Sequence, residues 1–254
     1  MISIKSEREI NLIKASGHLN YLTQEERKAH LKPGITTNEL DKIAYDFITK
    51  NGGYPSCLNY EGFPKSICVS INDEVVHGIP SNRKIKNGDV VSIDFCVLKD
   101  GYHSDSARTY IVGDTTDEVK ALVSNTEKAL YIGLQQVKEG AKIGDIGAAI
   151  LEYATNHGLG VVRELVGHGI GTEMHESPDV PNYGTKGTGI TLKAGMVIAV
   201  EPMLTLGKKD IAIMDDDWTI VTQDGLPSAH FEHTIVVTKD GYEILTKEWS
   251  YVKR

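Results

Sequence analysis

Apolar positions recur along this chain with two different periods. After Thr36, the residues Leu40, Ile43, Ala44, Phe47 and Ile48 share one face at helical spacing before Asn51-Gly52-Gly53 ends the run. Ser6-x-x-Glu9 and Thr36-x-x-Glu39 have the spacing of a capping box, in which side chains satisfy the free N–H groups at a helix start, so each opens a predicted helix. Thr115-x-x-Glu118 opens another, with Val119, Leu122, Val123, Leu130, Leu134 and Val137 on its apolar side. Elsewhere, β-branched runs bounded by turn residues predict strands over 66–71, 90–95, 102–112, 196–201, 218–222, 231–238 and 242–245.

Two of these strands end in an acid and read alike. Lys86-Asn87-Gly88-Asp89-Val90-Val91-Ser92-Ile93-Asp94 and Lys193-Ala194-Gly195-Met196-Val197-Ile198-Ala199-Val200-Glu201 both follow Lys-x-Gly-x-Val-apolar-x-apolar-acid, 107 residues apart. Upstream, Lys32-Pro33-Gly34 and Lys138-Glu139-Gly140 each precede an apolar-periodic segment, ending at Asn51-Gly52 and His157-Gly158, at an offset of 106. The agreement predicts a duplicated helix-and-strand unit, roughly residues 32–112 and 138–238. One pseudo-symmetric α+β domain over 1–254 follows, a curved antiparallel sheet covered by helices with the acid-bearing strands at its centre.

Composition narrows the class. With 40 % apolar and 24 % charged residues over 254 positions, the chain can bury a substantial core. Its start turns charged before an apolar signal region forms, and no apolar run approaches the roughly 18 residues of a membrane span. Cys57, Cys68 and Cys96 lack Cys-x-x-Cys spacing, which argues against a disulfide framework and suits a reducing, cytoplasmic location. A net charge of −8 opposes general nucleic-acid affinity.

The chemistry gathers around acids. Asp105 follows Asp94 by eleven residues, a spacing that a hairpin turning at Lys99-Asp100-Gly101 folds back, and Glu232 enters the strand after Glu201 in the same way. His168, between Gly167 and Gly169, offers an imidazole where the backbone can approach a partner closely. A buried unpaired carboxylate is so unfavourable that a converging set implies a shared cation. Four carboxylates carry −4 and two divalent ions +4, which favours a dinuclear centre able to polarise a carbonyl and activate water. Such oxygen-rich ligation with one imidazole suits cobalt, manganese, iron, zinc or nickel.

Taken together, Asp94-x10-Asp105, Gly167-His168-Gly169-Ile170-Gly171, Ile198-Ala199-Val200-Glu201-Pro202-Met203 and Phe231-Glu232-His233-Thr234 resemble the type I methionine aminopeptidases. Flanking residues agree from about Met1 to Leu245, including His77-Gly78-Ile79-Pro80 and Met174-His175-Glu176. The resemblance implies the pita-bread fold, in which two pseudo-symmetric halves enclose a dinuclear site. It implies Asp94 as ligand of one metal, His168 and Glu201 of the other, and Asp105 and Glu232 bridging both. Glu201 is similar to the residue that takes a proton from the attacking water and returns it to the leaving amine. His175 resembles the donor to the scissile carbonyl, and His77 the histidine near the scissile amide.

The resemblance also places Cys57, Tyr60, Phe63, Cys68, Met174 and Trp218 around a methionine side chain. Judged alone, His77 and His175 equally suit local bonding to backbone carbonyls, and Cys68 suits inert core. His18, His30, His103, His157, His230 and His233 are assigned to the surface or to local hydrogen bonds. Phe63, Met174, Glu61 and Asp217 stand where the family commonly has Tyr, Phe, His and Gly, which alters pocket shape and touches no ligand.

The implied function is removal of the initiator methionine from nascent polypeptides and peptides with a small second residue, by a monomer with transient ribosome association and no membrane or nucleic-acid partner. An aminopeptidase P or prolidase uses a similar ligand set but carries a further N-terminal domain, for which about 65 residues before the first sheet strand are too few. A non-catalytic pita-bread binding module would be expected to lack some of the ligands, and here all five positions hold ligating residues.

Overall fold

Each helix begins where a side-chain oxygen meets a free N–H group. In the computed structural model, which describes residues 2–249, α1 spans Glu7–His30 and α2 spans Thr37–Lys50. Met1 and residues 250–254, the ends of the range expected for the domain, lie outside the described residues. Both predicted capping boxes form: Glu9 N donates to Ser6 Oγ at 3.4 Å and Ser6 N to Glu9 Oε2 at 2.7 Å, with Thr36 and Glu39 doing the same at 3.2 and 2.8 Å. The next helix, α3 (Asp117–Leu134), starts one residue later than its spacing predicts, because the hydroxyl of Thr116 rather than Thr115 accepts from Val119 N. The last, α4 (Ile143–Asn156), is closed by Asp145, which accepts from Lys142 N at 2.8 Å.

The Lys-x-Gly blocks are turns that only glycine makes cheaply. Gly34, Gly88, Gly140 and Gly195 sit at φ of 94°, 92°, 87° and 89°. Gly34 N donates to Ile85 O at 2.8 Å and Gly140 N to Leu192 O at 2.9 Å, so the chain entering α2 and the chain entering α4 are tied in matching ways.

Two antiparallel sheets carry the acids. In one, Val90–Lys99 pairs with Tyr102–Ile111, Cys68–Ile71 and Tyr54–Pro55. The other is five-stranded, in the order Tyr242–Ile244, His233–Val237, Val197–Val200, Gly167–Gly169, Glu176–Val180. Leu40, Ala44 and Ile48 of α2 pack with Ile93 and Val97 of the first sheet, while Leu130 and Leu134 of α3 and Ile146 and Ile150 of α4 pack with Ile198 and Ile235 of the second.

A seam of threonine hydroxyls joins the sheets. Thr234 Oγ1 accepts from Asp105 N at 2.9 Å and donates to Asp105 O at 2.8 Å, while Thr109 Oγ1 accepts from His230 N at 2.9 Å and donates to His230 O at 2.7 Å. Between them Glu232 N donates to Ala107 O at 2.9 Å. The strand Tyr102–Ile111 thereby lies alongside residues 230–234, with threonine oxygens making four of these five bonds.

Unlike α2, α1 buries a polar face. Ser16, Asn20, Gln24 and Arg27 are fully buried at helical spacing. Ser16 Oγ donates to Val97 O at 2.6 Å, Asn20 Nδ2 to Phe95 O at 2.9 Å and Gln24 Nε2 to Ser106 O at 3.1 Å, so the helix rests on carbonyl groups of the acid-bearing hairpin. Arg27 donates to Gln24 Oε1 and lies 4.4 Å over the Phe95 ring, its guanidinium pushed down to about 9 by burial. Among the described residues no helix is long and apolar enough to cross a membrane.

Replacing Asn20 by Leu should cost about 1–3 kcal/mol in urea unfolding, since buried carbonyls lose their donor. An unchanged midpoint and slope would contradict the supporting role assigned to α1.

Candidate metal centre

The predicted hairpin turns at Asp100 and Gly101, both at positive φ, and sets the first two acids. Asp94 pairs with Ala107 and Asp105 with Cys96, two steps apart, so both side chains leave the same face as diagonal neighbours. Beyond burial, the charge of Asp105 bears on Asp94 and raises it. Cys96 lies beside them on that face and donates its thiol to Asp105 Oδ2 at 2.6 Å.

The second sheet supplies the rest. His233 pairs with Val200, so Glu201, one residue beyond Val200, and Glu232, one residue before His233, emerge at the same end of the strand pair. His168 lies in the middle of Gly167–Gly169, where a Cβ at Gly167 would overlap the Ala199 carbonyl and one at Gly169 the Ser177 carbonyl. Only glycines let that strand press close enough to bring the imidazole in.

Ligand atoms of Asp105, His168 and Glu232 all lie within 4.8 Å of one another. His168 Nε2 is 3.8 Å from Asp105 Oδ2 and 3.7 Å from Glu201 Oε1. Its Nδ1–H donates to Gly169 O at 2.8 Å, a bond that selects the tautomer with the Nε2 lone pair facing the carboxylates.

The electrostatics need a cation. Burial first, then the charge of Asp105, raises Asp94, Glu201 and Glu232 well above the carboxylate range. Asp105 is pushed up to about 7, chiefly by burial. Burial holds His168 down to about 4, so the ring is neutral and supplies no positive charge at pH 7. Asp105 Oδ1 and Glu232 Oε1 are buried with no hydrogen-bond partner among the described residues. Orphaned carboxyl oxygens and a neutral imidazole form a donor set that fits divalent cations.

Every residue singled out for metal, chemistry or pocket lines one cavity of about 600 Å³. His175 stands at its exposed mouth, its Nδ1 2.8 Å from Tyr60 OH and its ring 4.3 Å from that of His168. His77 lies half-buried, held at a φ of 60° that non-glycine residues rarely adopt. Phe63 meets Trp218 edge to face at 5.1 Å, and Met174 and Cys68 are buried in the wall, so Cys68 faces the cavity as well as the core.

Of the histidines assigned to the surface or to local hydrogen bonds, His30 and His157 bond carbonyls four residues away through Nδ1, whereas His103 and His233 bond the hydroxyls of Ser56 and Thr246 and His18 accepts from Trp249 N, all distant in sequence. His230 is buried, neither of its ring nitrogens has a hydrogen-bond partner among the described residues, and Nε2 lies 3.7 Å from Glu201 Oε2. Its place beside the acids, like those of Cys96 and Thr234, was missed by sequence reasoning. Only the alternation of sides along a strand hinted at Cys96, two positions from Asp94.

Comparison with known proteins decides the family. The model of metallopeptidase family M24 matches residues 11–239. The chain belongs to family M24. Methionine aminopeptidase 1 of Bacillus subtilis (strain 168) is 49 % identical over 247 residues, covering 97 % of this chain and 100 % of that protein. The crystal structure of methionine aminopeptidase from Rickettsia prowazekii matches with a TM-score of 0.96 at 48 % identity, covering 97 % of this chain and 100 % of that one. Prolidase from Pyrococcus furiosus, at 22 % identity and a TM-score of 0.77, shares the fold, and this chain covers 66 % of its length. The architecture is thus the pita-bread fold of the M24 enzymes, and the chain is a metal-dependent hydrolase.

Because Asp105 holds a proton up to about 7, the metal-free M24 fold keeps a proton that the unfolded chain releases. That contribution is present below the ordinary carboxylate range and is lost as pH rises through about 7. Histidines held down by burial oppose it only below about 6.5, where unfolded imidazoles take up protons. From pH ~6.5 to ~8 the melting temperature of the metal-free protein should therefore fall, and saturating divalent cation should abolish the fall. Equal slopes with and without cation would contradict the cluster's assignment.

Proposed function

We propose that this M24 protein is a methionine aminopeptidase, removing the initiator methionine from nascent polypeptides and peptides whose second residue is small. One observation carries the reading: the acid and imidazole cluster opens into the same cavity as a wall of sulfur and aromatic groups suited to a thioether. Near-complete coverage of the methionine aminopeptidase relatives supports it.

Asp94, Asp105, His168, Glu201 and Glu232 would hold two divalent ions, cobalt, manganese, iron, zinc or nickel, with Asp105 and Glu232 between them. When bound, such ions polarise a scissile carbonyl and make water acidic enough to attack near neutral pH. Glu201 accepts the proton of the attacking water and delivers it to the leaving amine. His175, ordered by Tyr60, donates to the carbonyl oxygen as negative charge develops there. His77 meets the substrate near the scissile amide, and Cys57, Tyr60, Phe63, Cys68, Met174 and Trp218 receive the methionine side chain.

Residues 1–254 are read as one catalytic domain of two related halves, 32–112 and 138–238, supported by the matched turns at Gly34 and Gly140. The protein is placed in the cytoplasm, as a monomer acting on free amino termini with transient ribosome association.

Metal-reconstituted protein should cleave Met-Ala-Ser and leave X-Pro peptides largely intact, and faster turnover of X-Pro would replace this reading with a prolidase-type one. Asp105→Ala and Glu232→Ala should each abolish binding of both ions in calorimetry, whereas one ion retained at full affinity argues against the bridging role. His175→Ala should lower kcat about a hundredfold with little change in KM. A purely KM effect would assign it to substrate binding instead.

A further inference from the structure

His230 is buried among polar groups it does not bond. Its side chain is 1 % exposed, and neither ring nitrogen has a hydrogen-bond partner among the described residues. A buried ring in that condition is costly, so a partner is expected once the site is assembled. The acceptor in reach is Glu201, whose Oε2 lies 3.7 Å from His230 Nε2. The other oxygen, Oε1, lies 3.7 Å from His168 Nε2. The carboxylate therefore stands between two imidazoles that differ in one respect. The His168 proton is committed at Nδ1 to Gly169 O, so that ring presents a lone pair, whereas both nitrogens of His230 are open and either can carry its proton.

The backbone of His230 is fixed firmly enough to aim the ring. Thr109 Oγ1 holds its N–H at 2.9 Å and its carbonyl at 2.7 Å, and the strand Ser228–His230 pairs His230 with Met203, two residues after Glu201. A sub-ångström closure of the kind common when catalytic sites take up their ligands would bring Nε2 to hydrogen-bond distance.

We propose that His230 is a positioning residue for Glu201, donating its Nε2–H to Glu201 Oε2 and so turning Oε1 toward His168 and the metal cluster. Oε2 keeps a second lone pair for the proton of the attacking water. This inference rests on the proposed role of Glu201 as ligand and proton acceptor, and it adds the group that orients it.

The first test needs no substitution. A long-range 1H–15N correlation spectrum of the zinc-loaded protein, in which Glu201 is a carboxylate, should show His230 protonated at Nε2; protonation at Nδ1 would overturn the proposal. His230→Leu should weaken one divalent-ion binding step about tenfold or more in calorimetry, the loss typical of outer-shell partners. It should lower kcat on Met-Ala-Ser by a similar factor with KM within about twofold, and His230→Gln, which keeps a donor, should restore both most of the way. Unchanged affinity and kcat in His230→Leu, or equal impairment in His230→Gln, would overturn it. If His230→Leu fails to fold, the tautomer and the glutamine variant decide. Absence of saturable ion binding by the unaltered protein would instead sink the functional reading on which this inference rests.

Discussion

Mutual repulsion of buried carboxylates is the constraint on which the rest of this structure depends. Asp94, Asp105, Glu201 and Glu232 face one space, and among the described residues none has a lysine or arginine as an ion-pair partner. Left alone they hold protons, because burial and the charge of Asp105 raise them. A protein gains nothing in stability from such an arrangement, and its stability is expected to depend on what it binds. Sites of this kind work when the binding of cations replaces the protons.

Holding like charges together demands a stiff frame, and the fold supplies it in two ways. Across the midline, Thr234 grips both backbone groups of Asp105, while Ala107 anchors the amide of Glu232. Behind the hairpin, α1 presents amide and hydroxyl groups to carbonyls on either side of Asp94 and Asp105. Oily packing alone would let the strands slide, whereas directional bonds to successive carbonyls fix their height and spacing. The polar face of α1 is thus structural support for the acids.

Much of this was legible in the sequence because it is local. The hairpin joining Asp94 to Asp105 follows from a turn signal between two β-branched runs, and the glycines around His168 mark close backbone approach. Capping boxes at Ser6 and Thr36 gave those helix starts, while the choice of Thr115 over the adjacent Thr116 put the third one residue early. What could not be read is long-range. Thr234 meets Asp105 across 129 positions and Thr109 meets His230 across 121, so no spacing announces either contact. The buried face of α1 also escapes amphipathicity, since Ser16, Asn20, Gln24 and Arg27 look like solvent positions until the carbonyls they serve are seen. The metal roles rested on family resemblance as well as on charge counting; the structure gathers ligand atoms of Asp105, His168 and Glu232 within 4.8 Å of one another and sets Glu201 Oε1 3.7 Å from His168 Nε2.

The most direct measurement is anomalous diffraction from crystals of the protein loaded with cobalt or zinc. The account predicts two peaks, typically about 3.5–4 Å apart, both within bonding distance of Asp105 and Glu232. A map with no peak in the cavity, or with ions bound only away from these carboxylates, would contradict it.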